Sequence, residues 1–330
     1  MDNIYSVSSS PHVRDNVTTQ KIMGAVLLSL LPASICGVIF FGIHALLVIV
    51  VSVASSVLSE LIFEKITGRD VTVYDLSAAV TGLLIGLNMP PSVPLFVPVL
   101  GSVFGVIVVK QLFGGIGQNF MNPALGARCF LLISFSSQMT DFSVKGGIVG
   151  ASMNAALDAV SSATPLAALK TGGAYPLKDL FLGNILGTIG ETSALALLIG
   201  AIFLLAIKVI DIKIPLTYIG TFFILVLIAA AVRGYENPVY FALCEVCAGG
   251  LMLGAWFMAT DYATSPMTSK GQIIYGIGLG ILTFLFRMVS KSEEGVSYAI
   301  IFMNCLTPMI EQFTRPLAFG IKREKGEKHE

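Results

Sequence analysis

The sequence predicts an all-α integral membrane protein with about ten transmembrane helices, arranged as a 5+5 inverted repeat. Hydrophobic residues make up 55% of the 330 positions and charged residues only 12%, about half of the charged share in soluble domains. Apolar segments long enough to span a bilayer recur along the chain, and two short motifs recur five segments apart. The formal net charge of zero argues against nucleic acid as a partner.

Ten segments have the length and composition of spanning helices. They cover residues 22–41, 43–63, 73–89, 94–112, 121–138, 187–208, 214–232, 238–258, 272–289 and 296–313. The fifth segment is interrupted by Asn122, Pro123 and Arg128. The residues before the first segment are polar and include Arg14 and Asp15, so we expect that segment to be a membrane anchor and not a cleavable signal peptide.

The distribution of Lys and Arg predicts the orientation of the chain. With both termini placed in the cytoplasm, 14 of the 20 cationic residues fall on the cytoplasmic side and 6 on the other side. Those six are Lys145, Lys170, Lys178, Arg233, Arg287 and Lys291. Because cytoplasmic loops carry an excess of positive charge, both termini are predicted to be cytoplasmic and the polar loop at 139–186 extracytoplasmic.

Two pairs of similar motifs predict an internal repeat. Gly82-Leu83-Leu84-Ile85-Gly86 in the third segment resembles Gly250-Leu251-Met252-Leu253-Gly254 in the eighth. Phe120-Met121-Asn122 opens the fifth segment and recurs as Phe302-Met303-Asn304 in the tenth. Since an odd number of spans separates the members of each pair, the two copies must have opposite orientations in the membrane.

The repeat divides the chain into three units. These are an N-terminal five-helix repeat at 1–138, the extracytoplasmic loop at 139–186, and a second five-helix repeat at 187–330 that ends in a basic cytoplasmic tail. Each Gly-rich segment runs into an irregular break, at Met89-Pro90-Pro91 and at Asp261-Tyr262-Ala263. Irregular backbone at membrane depth must be buried or line a wet cavity, so we expect both breaks to line a site between the repeats.

The long polar loop contains the candidate functional motif. Asp158 is followed by Ser161, Ser162, Ala163 and Thr164, so one threonine hydroxyl is surrounded by small residues. A structural interpretation is also open, in which Thr164 is a helix N-cap and Pro165 occupies the first helical position. A polar loop of about 45 residues does not help a membrane protein to span the bilayer, and loops of this length are usually functional. The loop length therefore favours the functional interpretation over the structural one.

Several motifs together resemble the NqrB/RnfD family, the membrane subunits of the Rnf complex and of the sodium-pumping NADH:quinone reductase. They are Ser9-Ser10-Pro11-His12, the stretch from Lys110 to Asn119, the loop motif from Asp158 to Thr164, Thr260-Asp261, and Thr314-Arg315-Pro316. The family's flavinylation motif usually has glycine where this chain has Ser162. Serine is also small, so this difference leaves the motif recognisable. The resemblance extends over nearly the whole chain.

The resemblance implies a flavoprotein of the bacterial inner (plasma) membrane that relays electrons between ferredoxin and NAD while Na⁺ or H⁺ is translocated. In the family, FMN is joined through its phosphate to the motif threonine, here Thr164, and Asp158 would help to position the flavin donor. The implied partners are the other Rnf subunits (G, A, E, C and B), a flavin transferase of the ApbE type, the coupling ion and membrane lipid. A non-covalent riboflavin is a further implied cofactor.

Other residues remain as candidates with competing interpretations. Carboxylates within membrane segments are costly and usually functional, so Asp261 and Glu245 are predicted to couple ions, whereas Asp75 and Glu191 could simply be solvated at span ends. Lys110, Asn119, Asn122 and Arg128 could hold a phosphate-free flavin or contact a partner subunit.

Cysteine placement favours packing over metal binding. All five cysteines lie in or beside apolar segments, and Cys244 and Cys247 have no second pair at matching spacing, so no metal site is predicted and an iron–sulfur cluster is the less favoured alternative. The competing function for the whole chain is a solute channel or transporter without a redox cofactor, because an inverted repeat would serve one equally well.

Overall fold

The computed structural model describes residues 17–143, 165–170, 175–288 and 295–316, and all regular structure within these ranges is helical. The helices are α1 (Thr19–Phe41), α2 (Ile43–Thr67), α3 (Ser77–Leu87), α4 (Phe96–Phe113), α5 (Pro123–Ser134), α6 (Ser136–Met139), α7 (Pro165–Lys170), α8 (Leu177–Leu182), α9 (Ala194–Ala206), α10 (Lys213–Val232), α11 (Pro238–Cys247), α12 (Leu251–Met258), α13 (Ser269–Met288) and α14 (Val296–Thr314). A short 3₁₀ turn at Val73–Asp75 precedes α3.

The all-α membrane fold is confirmed, whereas the count of ten spans stays a prediction. Five helices (α1, α2, α4, α10 and α13) are long and apolar enough to cross a membrane, and a sixth span results if α11 and α12 are taken together. These two helices meet at an angle of 65°. Helices α3, α5 and α9 are apolar but contain only 10–17 residues, less than the roughly 20 that a bilayer requires.

The short helices have identifiable ends. Helix α3 ends at Asn88, whose side-chain amide donates to the carbonyl of Leu84 at 2.6 Å, and Pro90 and Pro91 follow, where no further helical N–H is available. Helix α5 begins at Asn122, whose Oδ1 accepts from the backbone N–H of Ala124 at 3.0 Å. Between α11 and α12, Gly249 has a φ of 66°, a backbone conformation that favours glycine.

Glycines allow close helix packing in both halves of the molecule. A Cβ added at Gly82 of α3 would lie 2.7 Å from the Cα of Val53 on α2, and one added at Gly280 of α13 would lie 2.7 Å from the Cβ of Thr221 on α10. Small residues at such contacts let backbones approach in the absence of a hydrophobic driving force. The α2–α3 pair and the α10–α13 pair are therefore the close contacts of the N-terminal half (before 139) and the C-terminal half (after 186).

Three of the cationic residues counted in the topology prediction form buried ion pairs. Lys110 pairs with Glu60 at 2.5 Å, Arg128 with Glu191 at 2.7 Å, and Arg287 with Glu245 at 3.4 Å, and each partner's side chain is at most 4% exposed. Lys110, Arg128 and Arg287 are counted in the charge distribution, but each is buried and neutralised inside the helix bundle. These three residues therefore contribute no positive charge to a loop, and the orientation stays a prediction. The remaining Lys and Arg residues keep the same asymmetry.

The two halves meet around two asparagines from the repeated motifs. The Asn122 side chain donates to the carbonyl of Met258 in the C-terminal half at 3.3 Å. With the amide of Asn304 oriented to satisfy its surroundings, its oxygen accepts from the backbone N–H of Asn122 at 3.2 Å. Tyr275 contacts the same Asn304 amide at 2.6 Å. The two Phe-Met-Asn motifs thus lie against each other at the junction between the halves.

Candidate functional site

A pocket of about 800 Å³, including its open mouth, lies between the two halves. Its lining comes from the beginnings of α1 and α3, the end of α4, the segment before α5, the connection after α9, and the region from Trp256 to Ala263. All of these lie at the end of the bundle where α1 begins. The Asp261-Tyr262-Ala263 break lines this pocket, whereas Met89-Pro90-Pro91, which was predicted to line the same place, is absent from the lining. That the pocket is a functional site stays a prediction.

The walls of the pocket are mainly apolar and aromatic. Trp256, Phe257 and Tyr262 line one side, and Val80 and Leu84 of α3 lie among the lining residues of the other half. The indole Nε1 of Trp256 is buried and has no hydrogen-bond partner among the described residues. Because a buried unpaired donor is costly, this N–H is available to a ligand.

Asp261 supplies a carboxylate to the pocket from the connection between α12 and α13. Its Oδ2 accepts from the hydroxyl of Thr264 at 3.1 Å, its Oδ1 lies 3.5 Å from the N–H of Ala263, and Asn119 also bonds to it. Burial raises the pKa of the Asp261 carboxyl, and these three hydrogen bonds oppose that shift in part. Asp261 therefore also caps the break, with its own carbonyl accepting from the N–H of Ser265 at 3.0 Å.

Lys110 supplies the cation among the lining residues. Its Nζ donates to Oε1 of Glu60 at 2.5 Å and to the hydroxyl of Ser77 at 2.6 Å. A lysine held by a carboxylate is a poor receptor for a second anion. The pocket therefore suits a planar, largely apolar ligand with a few polar edges and without a phosphate group.

Three of the four residues predicted to hold a phosphate-free flavin line this pocket, namely Lys110, Asn119 and Asn122. The fourth, Arg128, does not. Its Nη1 donates to Oε1 of Glu191 at 2.7 Å and also bonds to Oδ1 of Asn88. Arg128 therefore connects α5 to the end of α3 and to the segment before α9, a structural position within the bundle.

The ion-coupling candidates lie apart from each other. Glu245 is buried on α11, where Arg287 donates to its carbonyl at 2.6 Å and pairs with its carboxylate. Arg287 lies at the end of α13, whereas Asp261 lies just before its start, and 20 helical residues span roughly 30 Å. The structure thus gives Glu245 a charge partner and places Asp261 alone of the two in the pocket.

Comparison with known proteins identifies the family. A sequence model described as the NQR2, RnfD, RnfE family matches residues 6–320. The chain belongs to this family. It is 44% identical over 327 residues to the D subunit of the Na(+)-translocating ferredoxin:NAD(+) oxidoreductase complex of Acetobacterium woodii, with 98% of this chain and 97% of that protein covered.

Two further relatives have similar coverage. The chain is 41% identical to the D subunit of the proton-translocating ferredoxin:NAD(+) oxidoreductase complex of Clostridium ljungdahlii, with 97% of this chain and 98% of that protein covered. It is 36% identical to the D subunit of the ion-translocating oxidoreductase complex of Stutzerimonas stutzeri, with 92% of each covered. Membership of the NqrB/RnfD family, which the motifs predicted, is confirmed.

The family's flavinylation motif falls outside the described residues, so Asp158, Ser161, Ser162, Ala163 and Thr164 stay predictions. Pro165, which follows Thr164 directly, begins helix α7, and Leu166 and Leu169 of this helix are buried. A Cβ added at Gly249 would lie 2.5 Å from Cδ1 of Leu166. The helix next to the motif is therefore anchored at the α11–α12 break, beside Arg287 and away from the pocket.

The cysteines show no metal centre within the described ranges. None of the five forms a disulfide, and no three His, Cys, Asp or Glu residues in these ranges could share a metal ion. The Sγ of Cys244 lies 3.6 Å from the carbonyl of Tyr175. Cys244 therefore joins α11 to the segment before α8.

Sequence reasoning missed two groups at this site. Glu60 is fully buried beside Lys110, and Trp256 contributes an indole N–H that has no partner in the described part of the chain. A signal for Glu60 was present, because Glu60 and Glu64 are one turn apart at the end of an apolar segment and would share a helix face. Nothing comparable marked Trp256, since a tryptophan at a helix end is equally typical of a membrane interface.

Proposed function

We propose that this chain is the membrane flavoprotein subunit of an Rnf-type ion-translocating ferredoxin:NAD oxidoreductase, and that it relays electrons coupled to movement of Na⁺ or H⁺. The observation that carries the proposal is the 44% identity over nearly the full length to a protein named as the D subunit of such a complex. The Asp158 to Thr164 motif supports it. The other Rnf subunits (G, A, E, C and B) would be its partners in a bacterial inner membrane.

FMN would be attached covalently to Thr164 through a phosphoester. The hydroxyl of Thr164 has small neighbours in Ser162 and Ala163, so a transferase of the ApbE type would have access to it. Bound FMN supplies a group that accepts and passes on electrons, which side chains alone do not. The charge distribution supports placing this loop outside the cytoplasm, with both termini inside.

The pocket between the halves suits a second, non-covalent flavin. The pocket has aromatic walls, the N–H of Trp256 that no described residue accepts, and a polar edge formed by Asn119 and Asp261. These features fit a planar heterocycle with donors and acceptors on its rim. Lys110 is held by Glu60, so the ligand class is a flavin without phosphate, such as riboflavin. Asp261 would sense the charge of this ligand and is retained as the ion-coupling candidate, with Glu245 as the weaker one.

A threonine variant tests the covalent flavin. Thr164→Ala should remove the ultraviolet fluorescence of the denatured chain in a gel and leave membrane insertion unchanged, because the motif lies outside the apolar segments of the sequence. Thr164→Ser keeps a hydroxyl and should be partly flavinylated. Thr140→Ala is the matched control, since Thr140 is exposed and its hydroxyl bonds only locally, to the carbonyl of Ser136 at 2.9 Å.

The same experiment separates the competing function. A solute channel or transporter of inverted-repeat architecture would contain the pocket but would have no need of covalent flavin. A wild-type chain that shows no fluorescence when isolated from the active complex would therefore contradict the proposal and favour the transporter.

A further inference from the structure

A column of buried polar side chains runs along one face of α2. Ser52, Ser56, Glu60 and Glu64 follow each other at intervals of four residues, and each is at most 1% exposed. Residues four apart lie on one helix face, and this face is turned towards α3 and α4. Small residues such as serine are common where membrane helices pack, whereas ionisable residues within a membrane helix, here Glu60, are costly and usually functional.

Most polar atoms of the column are satisfied by protein groups. The hydroxyl of Ser52 donates to the carbonyl of Gly82 at 2.7 Å. Glu64 accepts from the N–H of Thr72 at 3.1 Å and also bonds to the Thr72 hydroxyl. Oε1 of Glu60 accepts from Lys110 at 2.5 Å and from the side chain of Gln111 at 2.6 Å.

Two atoms of the column, Oε2 of Glu60 and Oγ of Ser56, are fully buried and have no partner in the described part of the chain. Both side chains face α3. A Cβ added at Gly82 of α3 would lie 2.8 Å from Oγ of Ser56, and Glu60 reaches Ser77 of α3 through Lys110. Ser56 and Glu60 are one turn apart and therefore share a face of α2. Their two oxygens, without donors among the described residues, form an incomplete set of ligands, because a buried acceptor left unsatisfied costs about 1–3 kcal/mol.

The charges around these oxygens do not balance. Glu60 and Glu64 contribute two negative charges, and Lys110 is the single cation paired with them within the described ranges. Arg69 lies nearby, but its Nη1 donates to the carbonyl of Gln111 at 2.9 Å and its side chain is on the exposed surface. One excess formal negative charge buried within the helix bundle is unfavourable unless a positive charge joins it.

We propose that Oε2 of Glu60 and Oγ of Ser56 bind an exchangeable monovalent cation, either Na⁺ or a proton carried as hydronium. Carboxylate and hydroxyl oxygens are hard ligands of the kind that such cations prefer, and a single positive charge completes the balance. A divalent ion would leave an excess positive charge. This site lies in the N-terminal half and is separate from Asp261 and Glu245.

Lys110 connects the cation site to the pocket. Its Nζ contacts both Glu60 and Ser77, and Lys110 and Ser77 line the pocket between the halves. A negative charge that develops on a ligand in the pocket would share the positive charge of Lys110 without displacing it from Glu60, and would so strengthen cation binding at Oε2. This link, unlike the cation site itself, rests on the proposed flavin in the pocket.

Thermal unfolding of the purified full chain in detergent tests the site without any redox readout. A cation that binds only the folded chain raises Tm in proportion to its saturation. NaCl is titrated against choline chloride at constant ionic strength, and pH is then varied at fixed NaCl. The variants are Ser56→Ala and Glu60→Gln, and the matched control is Ser59→Ala, a buried serine of the same helix whose hydroxyl is satisfied by the carbonyl of Ser55 at 2.6 Å.

If the cation is Na⁺, the wild type should show a saturable rise in Tm, and Ser56→Ala should need about tenfold more Na⁺ for half of the effect, since tenfold is the loss expected for one ligand oxygen. If it is a proton, NaCl should have no specific effect and Ser56→Ala should shift the pH midpoint of Tm instead. Glu60→Gln should abolish the response in either case, and Ser59→Ala should behave as wild type.

Ser56→Ala removes no hydrogen bond among the described residues, so the test does not depend on a variant that fails to fold. The proposal is overturned if the wild type is insensitive to Na⁺ and the pH profiles of Ser56→Ala and wild type coincide. That result would mean that water alone occupies the site. Because no flavin enters the measurement, failure here is distinguishable from failure of the proposed function.

Discussion

At the residue scale, Asp261 combines a structural and a candidate functional role. Its hydrogen bonds to Ala263 and Thr264 stabilise the break after α12, while its carboxylate lines the pocket. Because burial disfavours the ionised form of the carboxylate, its pKa is raised. This combination is what makes its substitution informative.

Asp261→Asn should keep the flavin and the fold but reduce ion-dependent electron transfer clearly, because it removes the charge and retains one acceptor. A carboxyl with a raised pKa in the folded state contributes most stability below about pH 3.9 and loses it as pH rises through the raised pKa. As pH rises from about 3.9 to the raised pKa, the Tm of the variant should therefore exceed the Tm of the wild type by a growing margin. Identical pH profiles together with normal ion-coupled activity would reduce Asp261 to a capping residue.

The sequence identified some residues of the pocket correctly and misassigned others, and the difference lies in their interaction partners. Lys110, Asn119 and Asn122 stand out as polar residues between apolar segments, and all three line the pocket. Arg128 stands out equally, yet it is used in an ion pair with Glu191. The partner of a buried charge lies far away in sequence, so spacing alone could not tell the two outcomes apart.

At the scale of elements, the close contact between α2 and α3 depends on Gly82. A methyl group there would lie 2.7–2.8 Å from Val53 Cα and Ser52 O, so backbone would have to move. Gly82→Ala should therefore lower the Tm of the purified chain by several degrees, in line with overpacking costs of about 1–3 kcal/mol. Gly220→Ala on α10 is the control, because nothing in the described part of the chain lies within 4 Å of its added Cβ, and its Tm should be unchanged or slightly higher.

The sequence predicted the positions of helices better than their lengths. Each of the ten predicted segments contains a helix, since apolar runs bounded by Gly and Pro have few other structures available in a membrane. Helix α3 nevertheless stops at Asn88, and Gly249 separates α11 from α12. Hydropathy averages over such breaks because the residues in them, including Met89 and Ala248, are themselves apolar.

At the scale of the whole molecule, the orientation of the chain in the membrane decides on which side the polar loop at 139–186 and the mouth of the pocket lie. Lys178 on α8 and Lys270 on α13 are both exposed, and the predicted topology places them on opposite sides. In a chain without its five native cysteines, Lys178→Cys should react with an impermeant maleimide in intact cells, whereas Lys270→Cys should react only after lysis. The reverse pattern would invert the topology, and labelling of both in intact cells would contradict it.

The inverted repeat stays a prediction. The two Phe-Met-Asn motifs meet where the halves join, through Asn122 and Asn304, as a two-fold relation between the halves would require. The carboxylates of the ion pairs do not occupy matching positions of the predicted repeat. Glu60 lies on α2, in the second predicted segment, whereas Glu245 lies on α11, in the eighth, and matching segments are five apart. Short motif similarities carry no information about such side-chain partners.

The most direct test of the central claim is the mass of one tryptic peptide from the purified native complex. Cleavage after Lys145 and Lys170 releases residues 146–170, which contain Thr164 and no other Lys or Arg inside the cut sites. We expect this peptide to carry the added mass of FMN less one water, with fragment ions that place the addition on Thr164. An unmodified peptide from a complex that reduces NAD with ferredoxin would contradict the account.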